Sequence, residues 1–485
     1  MSNFFSMQWN IEKAVSELFE SWQHFKPDNI KPLPPSGSNR RYFRIFYGDH
    51  TCIGAFNPDI RENQAFLILS QHFADLGLPV PKVLARDADG LCYLLTDLGD
   101  TTLFSLLPHD PAVKTFNART MDLYKKSIDW LPAFQVKAAK GLDFSICYPR
   151  HAFDRHSMMW DLNYFKYYFL KISGIGFDEQ KLEDDFEHFA AHLLNVPSEF
   201  FLYRDFQSRN IMIVDEKPFY IDYQGGRRGA LQYDVASLLF DAKANIPFEQ
   251  RVELLDHYIE SLKKWIDVDE NRFRGYFYDF VLMRILQALG TYGFRGGVEK
   301  KALFLQSVPY ALKNLLWLAE KDLLPKITPH LSNIVEKIAS TAPSSILPAP
   351  ETGLNIHIRS FSYKNGIPAD EWGNGGGFVF DCRALPNPGR YPEYREITGK
   401  DEKVIRFLEK EESVAEFLDN ARRLSDYSVK NFLERGFTNL MISFGCTGGQ
   451  HRSVYCAEEL KKHLSEKFTV KIDLKHREEH NWPKN

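Results

Sequence analysis

The chain has 485 residues, 44% of them apolar and 26% charged, with 39 Phe and a formal net charge of −4. That length supports two or three packed domains, and the composition excludes a disordered chain. A slightly acidic balance demands neither nucleic acid nor an anionic membrane surface as partner.

The opening stretch, MSNFFSMQWNIEKAVSELFESW, is amphipathic and acidic, and lacks the basic start and apolar core of a signal peptide. Residues 41–47, 51–56 and 91–96 read as short strands, and ENQAFLILSQHFADLG between them has helical periodicity. From about residue 100 the pattern is long helices, interrupted by two apolar strands, IMIVD and PFYID, joined by a tight turn at Glu216-Lys217. STAPSSILPAPETG, rich in Pro, Ser and Ala, reads as a linker. Beyond it the strands HIRSFSY, GFVFDCR, NLMISFG and TVKIDL alternate with helices, an α/β pattern. The expected divisions are 1–100 (a strand-rich lobe), 101–340 (a helical lobe), 341–353 (linker) and 354–485 (a separate α/β domain). Residues 351–485 hold 21 basic and 21 acidic side chains, so the net charge belongs to the first 350. The six cysteines show no C-x-x-C and no framework spacing, which predicts reduced thiols and a cytoplasmic location. No run of 18 apolar residues occurs, so no membrane span is expected.

The first chemical constellation is YRDFQSRNIMI followed by YIDYQ. Phosphoryl transfer from ATP needs a carboxylate to accept the proton of the attacking hydroxyl and oxygen ligands to hold Mg²⁺ against the phosphates. Asp205 is the candidate base, and Asn210 and Asp222 are the candidate metal ligands, the hairpin returning Asp222 to the loop. A bare D-x4-N is weak; D-x4-N, an apolar hairpin and Ile-Asp-Tyr together are specific. The stretch resembles the aminoglycoside phosphotransferase-like kinases, relatives of protein kinases, with Tyr203-Arg204-Asp205 where those proteins usually carry His before the Arg or Gly. The resemblance implies a bilobal kinase-like fold and, in LQYDVASLLFDA, an Asp234 that braces the catalytic loop; the bland role for Asp234 is a helix N-cap. SGSNRRYFRI, LGLPVPKVLARDADGLCYLLTDLGDTTLFSLL and YRDFQSRNIMI together resemble the AmgK-type cell-wall sugar kinases over roughly residues 10–330. This implies ATP and Mg²⁺ as cofactors and an amino sugar of the N-acetylmuramate or N-acetylglucosamine type as acceptor.

By that resemblance Ser36, Gly37, Ser38 and Asn39 form the turn over the ATP phosphates, where small residues admit backbone N–H groups. The stretch from Thr96 to Leu98 is the hinge expected to meet adenine. The strand CIGAFNP carries Ala55 or Phe56 where most such kinases have Lys, leaving Arg41 or Arg44 to face the phosphates; strand alternation lets only one of them do so. For the acceptor, Asp154 and Asp161 lie seven apart, two helical turns on one face beside aromatics, and Arg204 stands next to Asp205. A solvated helix face is the equal alternative for the two carboxylates.

The second constellation is LMISFGCTGGQHRSV: strand, two-glycine loop, helix start. The helix end points free N–H groups and its positive dipole at the loop, Gly448 and Gly449 permit close approach, Arg452 offers a bidentate fork, and Thr447 and Ser453 add hydroxyls. This is an anion cradle. The spacing Cys446-x5-Arg452-Ser453 also fits Cys-dependent phosphatases, with Cys446 as nucleophile and Asp381 as acid. FSYKNGIPAD, FVFDCRALPNPG, ITGKDEKV and SFGCTGGQHRSVYCAEEL resemble the C-terminal domain of RapZ over about residues 355–482. That resemblance implies an amino-sugar-phosphate receptor, with Thr447, Gly448, Gly449, His451 and Arg452 around the phosphate and Asp381, Arg383 and Asn387 toward the sugar. It also implies contacts with RNA, which the near-neutral domain does not favour. No GxxxxGK[ST] occurs, so a different fold stands where RapZ has its P-loop domain.

The expectation is an ATP- and Mg²⁺-dependent sugar kinase fused to a sugar-phosphate sensor, with a homo-oligomer left open. The competing class is a kinase-like scaffold, suggested by the missing strand Lys and the missing His. Antibiotic phosphorylation is a third class, for which polycationic acceptors would demand a strongly acidic cleft.

Overall fold

The computed structural model describes residues 2–34, 40–107, 116–299, 301–341, 354–370, 376–434, 437–468 and 470–483. Ser36, Gly37, Ser38 and Asn39, and the linker from residue 342, lie outside them. The chain divides into two compact units, one of Met1–Val298 with Ser307–Leu347, the other of Glu299–Gln306 with Pro348–Asn485. Among the described residues no helix is long and apolar enough to cross a membrane.

The first unit begins with α1 (Ser2–Gln23) and an antiparallel sheet of order β1-β2-β3-β5-β4. Its strands are β1 (Asn29–Pro32), β2 (Arg41–Tyr47), β3 (His50–Phe56), β4 (Val83–Arg86) and β5 (Cys92–Thr96). The strands expected at 41–47, 51–56 and 91–96 are present; β1 and β4, four residues each and largely unburied, carry too little apolar alternation to be legible. Phe43, Ile45, Cys52, Cys92 and Leu94 form the sheet face that packs Val15 and Phe19 of α1. Gly54 makes that packing feasible, since a Cβ there would overlap Val15 Cγ1.

On the chain between β3 and β4 runs α2 (Ile60–Asp75). Asp59 caps it by accepting from the Glu62 N–H at 3.1 Å, which sets Glu62 in the first turn. Phe66 of α2 stacks between Tyr93 and Tyr223, both with ring centroids at 5.1 Å, and Ser70 Oγ meets Tyr223 Oη at 2.6 Å. An apolar and aromatic seam thus fixes α2 against the segment that follows the hairpin ending near residue 220.

The helical lobe contains α3 (Ala118–Pro132), α4 (Arg155–Phe165), α5 (Glu179–Leu193), α6 (Gln232–Leu239), α7 (Phe248–Lys263) and α8 (Glu270–Tyr292); α9 (Ala302–Leu305), α10 (Val308–Glu320) and α11 (Pro329–Ser340) follow in the chain. The middle of α8 is buried around its circumference, mostly by Phe277, Phe280, Val281, Leu282, Met283, Ile285 and Leu286 with the charged Asp279 and Arg284 among them, as suits a helix packed against α4 and α6. Two two-stranded sheets carry the loops of interest: β6 (Phe200–Leu202) with β9 (Arg227–Gly229), and β7 (Ile211–Val214) with β8 (Lys217–Tyr220). The hairpin turn is Asp215-Glu216, one residue earlier than expected; both take positive φ, 50° and 59°, which matches a tight two-residue turn to the strand twist.

The second unit holds a four-stranded parallel sheet of order β11-β12-β10-β13: β10 (Asn355–Ser362), β11 (Phe378–Asp381), β12 (Asn439–Cys446) and β13 (Lys471–His476). The helices after residue 400, here α12 (Glu402–Glu409), α13 (Glu412–Glu434) and α14 (Arg452–Lys467), contribute Val404, Leu408, Val414, Leu418, Cys456 and Leu460 to one core with Ile356, Ile358, Leu440, Ile442 and Phe444. Because all strands run the same way, their last residues Ser362, Asp381, Cys446 and His476 gather along one sheet edge, where parallel α/β sheets place ligands.

Candidate active site

The candidate catalytic loop is held from below by a buried carboxylate. Asp234 is fully enclosed in the first turn of α6 and accepts from the backbone N–H of Tyr203 at 2.8 Å and of Arg204 at 3.0 Å. Gln135 Nε2 adds a third bond at 3.1 Å, and Tyr258 Oη fixes that amide by donating to its Oε1 at 2.6 Å. Asp234 is therefore not a helix N-cap; Leu231 holds that position, and the carboxylate caps the catalytic loop instead. Burial raises its pKa to about 7, against the pull of these donors.

Tyr203 stands where relatives of protein kinases carry His. Its ring is buried and its hydroxyl donates to the Ile221 carbonyl at 2.7 Å, tying the catalytic loop to the residue before Asp222. Asn210 closes the set: its Nδ2 donates to the Asp205 carbonyl at 2.9 Å and reaches Asp222 Oδ2 at 3.3 Å. Asp222 takes a positive φ of 68° and Arg204 one of 79°, costly for non-glycine residues and sustained by these tethers. Asp222 keeps an opening to the cleft, yet the surrounding lobe desolvates it, and this with the neighbouring Asp205 charge raises its pKa.

A cation suits that position. Among the described residues no three His, Cys, Asp or Glu side chains form a metal cage. A strained carboxylate beside an amide, both hard oxygen donors, fits a Mg²⁺ that takes its remaining ligands from phosphates.

A buried cation near Asp222 was overlooked by the sequence reading. Ala55 and Tyr93 share the cleft-side face of the sheet with Tyr42 and leave no cation there. Arg40, 2% exposed, lies just before β2 with Nη2 2.9 Å from Glu62 and Nη1 3.9 Å from Asp222, its guanidinium 5.7 Å from the Phe66 ring centroid. Of the two expected candidates, Arg44 is on the same strand face but is spent on Asp97 and Asp100, at 2.6 and 2.9 Å. Arg41 alternates to the face of Phe43 and Ile45 and is exposed. The N–H of Thr96 in the expected hinge donates to the Lys82 carbonyl at 3.0 Å, so that group is not available to adenine; Leu98 is half-buried.

On the acceptor side Arg204 Nη2 donates to Asp161 Oδ1 at 2.8 Å and Nη1 to Tyr233 Oη at 2.7 Å, over the Phe153 ring. Asp161 Oδ2 has no hydrogen bond among the described residues. Asp154 does not share a helix face with Asp161: it precedes α4 as its N-cap, accepting from Ser157 N–H at 2.9 Å and from Arg150 at 2.6 Å. Arg284 of α8, unanticipated, brings Nη2 to 4.0 Å from Asp205 Oδ1 while its Nε donates to Ser237 Oγ at 2.9 Å.

In the second unit, Gly449 takes φ +68°, and a Cβ there would overlap Glu478 Cγ, so only glycine fits. Thr447 and Gly448 are exposed at the loop mouth. The first turn of α14 leaves the N–H groups of residues 452–454 without intrahelical acceptors, as an anion site requires. Three details depart from expectation. Arg452 does not offer its whole fork: Nη1 donates to the carbonyls of Arg383 and Leu385 at 2.8 and 2.9 Å. Ser453 is fully buried with Oγ 3.1 Å from Cys446 Sγ, so its hydroxyl faces the thiol rather than solvent. His451 donates through Nε2 to the Tyr394 carbonyl at 2.8 Å, and burial lowers its pKa, which leaves a neutral clamp. Asp381 is held by Arg383 at 2.6 Å, which stacks 3.9 Å over the Tyr363 ring, and Asn387 accepts from Gly389 N–H at 3.2 Å.

Residues 29–276 match the model of the phosphotransferase enzyme family, and residues 354–480 match that of the RapZ C-terminal domain. The chain belongs to the phosphotransferase enzyme family. Its fold is that family's kinase-like domain followed by a separate RapZ C-terminal domain. Among curated relatives, a nucleotide-binding protein of Acidobacterium capsulatum is 44% identical over 123 residues, 25% of this chain and 38% of that protein. One of Thermosipho melanesiensis is 37% identical over 168 residues, 33% of this chain and 58% of that protein. The chain thus spans about half the length, or less, of the curated relatives it matches. Similar solved structures include an amicoumacin kinase in complex with AMP-PNP, Ca²⁺ and its antibiotic, at TM-score 0.44 and 13% identity, covering 70% of this chain and 95% of that one. Choline kinase from Streptococcus pneumoniae follows at TM-score 0.40 and 12% identity, covering 70% and 100%.

Proposed function

We propose that the first unit transfers the γ-phosphoryl group of ATP to a hydroxyl of an amino sugar of the N-acetylmuramate or N-acetylglucosamine type, in cytoplasmic cell-wall sugar recycling. The observation that carries the reading is the tethered set Asp205, Asn210 and Asp222, with the Arg40–Glu62 pair next to Asp222. Asp205 orients the acceptor hydroxyl and takes its proton. Asn210 and Asp222 are the residues that would hold Mg²⁺, which when bound would supply neutralisation of phosphate charge. Arg40 faces the phosphates with its charge fixed by Glu62, and Arg284 steadies the charge on Asp205. Arg204 and Asp161 form the wall against which a sugar orients.

The second unit, on this reading, binds an amino-sugar phosphate in the loop at 447–453 and reports on the same pathway. If its ligand alters kinase affinity, the coupling is reciprocal. The test is phosphorus NMR of the full chain with ATP, Mg²⁺ and a panel of amino sugars, beside Asp205→Ala. A sugar-phosphate signal that the variant loses is the expected result, and its coupling to the anomeric proton tells position 1 from position 6. Absence of any such signal across the panel, with nucleotide bound, refutes the amino-sugar assignment.

A further inference from the structure

We propose that the loop at 447–453 is also a thiol-dependent phosphatase centre, in which Cys446 takes the phosphoryl group from a phosphate monoester whose leaving oxygen departs as a stable anion. The inference rests on the reading that this loop binds phosphate, and goes beyond it to chemistry.

Cys446 ends β12 at the base of the loop; its sulfur accepts from the Gly449 N–H at 3.2 Å and lies 3.1 Å from Ser453 Oγ, a pair in which either atom can donate. Both groups pack against the sulfur, and the 16-residue helix α14 starts six residues further on, with its N-terminal end at the loop. The independent observation is the state of Arg452. It is 4% exposed; Nη1 is anchored on two carbonyls, Nε has no hydrogen-bond partner among the described residues, and Nη2 touches only Thr447 Oγ1, at 3.5 Å. The buried Nε–Nη2 edge therefore faces the loop with two donors in the geometry of a bidentate phosphate contact. A phosphate held there and by the loop N–H groups has Cys446 beneath it.

The bonds balance without a co-reactant other than water. Cys446 gives its thiol proton to solvent. The thiolate pair forms an S–P bond as the P–O bond breaks, its electron pair leaving on the oxygen. Water then attacks phosphorus, the S–P bond breaks, the thiolate returns, inorganic phosphate leaves and one proton goes to solvent. Asp381, the acid expected at the neighbouring strand end, is engaged by Arg383, whose hydrogen bonds lower its pKa. With no proton donor poised for the leaving group among the described residues, aryl phosphates are the favoured class and alkyl phosphates turn over roughly 10²–10⁴-fold more slowly, the range a general acid supplies.

The test uses the full chain carrying Asp205→Ala, with and without Cys446→Ser, and 4-nitrophenyl phosphate. The expected result is nitrophenol release, inhibition by orthovanadate, and a phosphoryl adduct on Cys446 by mass spectrometry after rapid quench, all lost in Cys446→Ser. Calorimetry with inorganic phosphate on both proteins separates the two readings. Phosphate binding in both without turnover overturns the phosphatase and leaves the sensing role standing. Phosphate binding in neither overturns both. Release that persists in Cys446→Ser assigns it elsewhere and overturns this proposal.

Discussion

Replacing Arg40 by Ala tests the least anticipated part of the kinase site. A unit charge about 4 Å from a phosphate oxygen at an effective dielectric near 20 interacts by about 4 kcal/mol, or roughly 10³ in affinity. Removal also exposes Glu62, now without the guanidinium at 2.9 Å, to the same phosphates. Its repulsion across about 6 Å adds up to about 3 kcal/mol on the same scale before side-chain relaxation. Arg40→Ala should therefore weaken Mg²⁺–AMP-PNP binding by at least 10³-fold. The double variant Arg40→Ala/Glu62→Ala should bind more tightly than Arg40→Ala alone, by roughly 1–2 kcal/mol, the size expected for directly interacting residues in a double-mutant cycle. Isothermal calorimetry gives the affinities, and thermal unfolding without nucleotide separates loss of fold from loss of binding. Affinity within twofold of wild type in Arg40→Ala, or no recovery in the double variant of a protein that still unfolds cooperatively, refutes the assignment of Arg40 to the phosphates.

Two further outcomes follow from buried groups. Asp234 has a folded pKa near 7, raised by burial. Between its unfolded value near 4 and pH 7 the native state binds the extra proton, so this group's contribution to stability falls as pH rises through that window. Asp234→Asn should flatten the fall in urea midpoint between pH 5 and 8, while lowering stability because one loop N–H loses its acceptor; an unchanged pH slope would contradict the raised pKa. Gly54→Ala should cost about 1–3 kcal/mol through overlap with Val15, read as a lower urea midpoint at unchanged m-value, and a neutral result would mean α1 can shift away from the sheet.

Some of the site was legible because it is local. Asp205 and Asn210 lie on one loop, Asp222 ends a hairpin whose apolar runs are plain, and the Cys446-to-Ser453 loop sits between an apolar strand and an amphipathic helix. Chain connectivity alone brings such groups together. Asp154 misled because helical spacing does not say where a helix begins; its Asp-x-x-Ser start is equally an N-cap pattern, and capping is what it does. A signal for the missed pair did exist: Asp59-x-x-Glu62 before an apolar periodic run marks a helix start that places Glu62 in its first turn, facing whatever the sheet offers.

The sequence by itself determined a kinase-like fold followed by a separate α/β domain and picked out the candidate residues of each loop, since these follow from hydrophobic period, turn chemistry and motif; the strand directions came with the tertiary structure. Only the tertiary structure decided which cations are spent and which remain. Arg44 is neutralised by Asp97 and Asp100 from β5's far end, and Arg40 meets Glu62 across 22 residues. Arg452 gives one nitrogen to carbonyls 67 and 69 residues away. Charge pairing depends on distance in space, falling with separation and rising with desolvation, and neither quantity is written in the order of the residues.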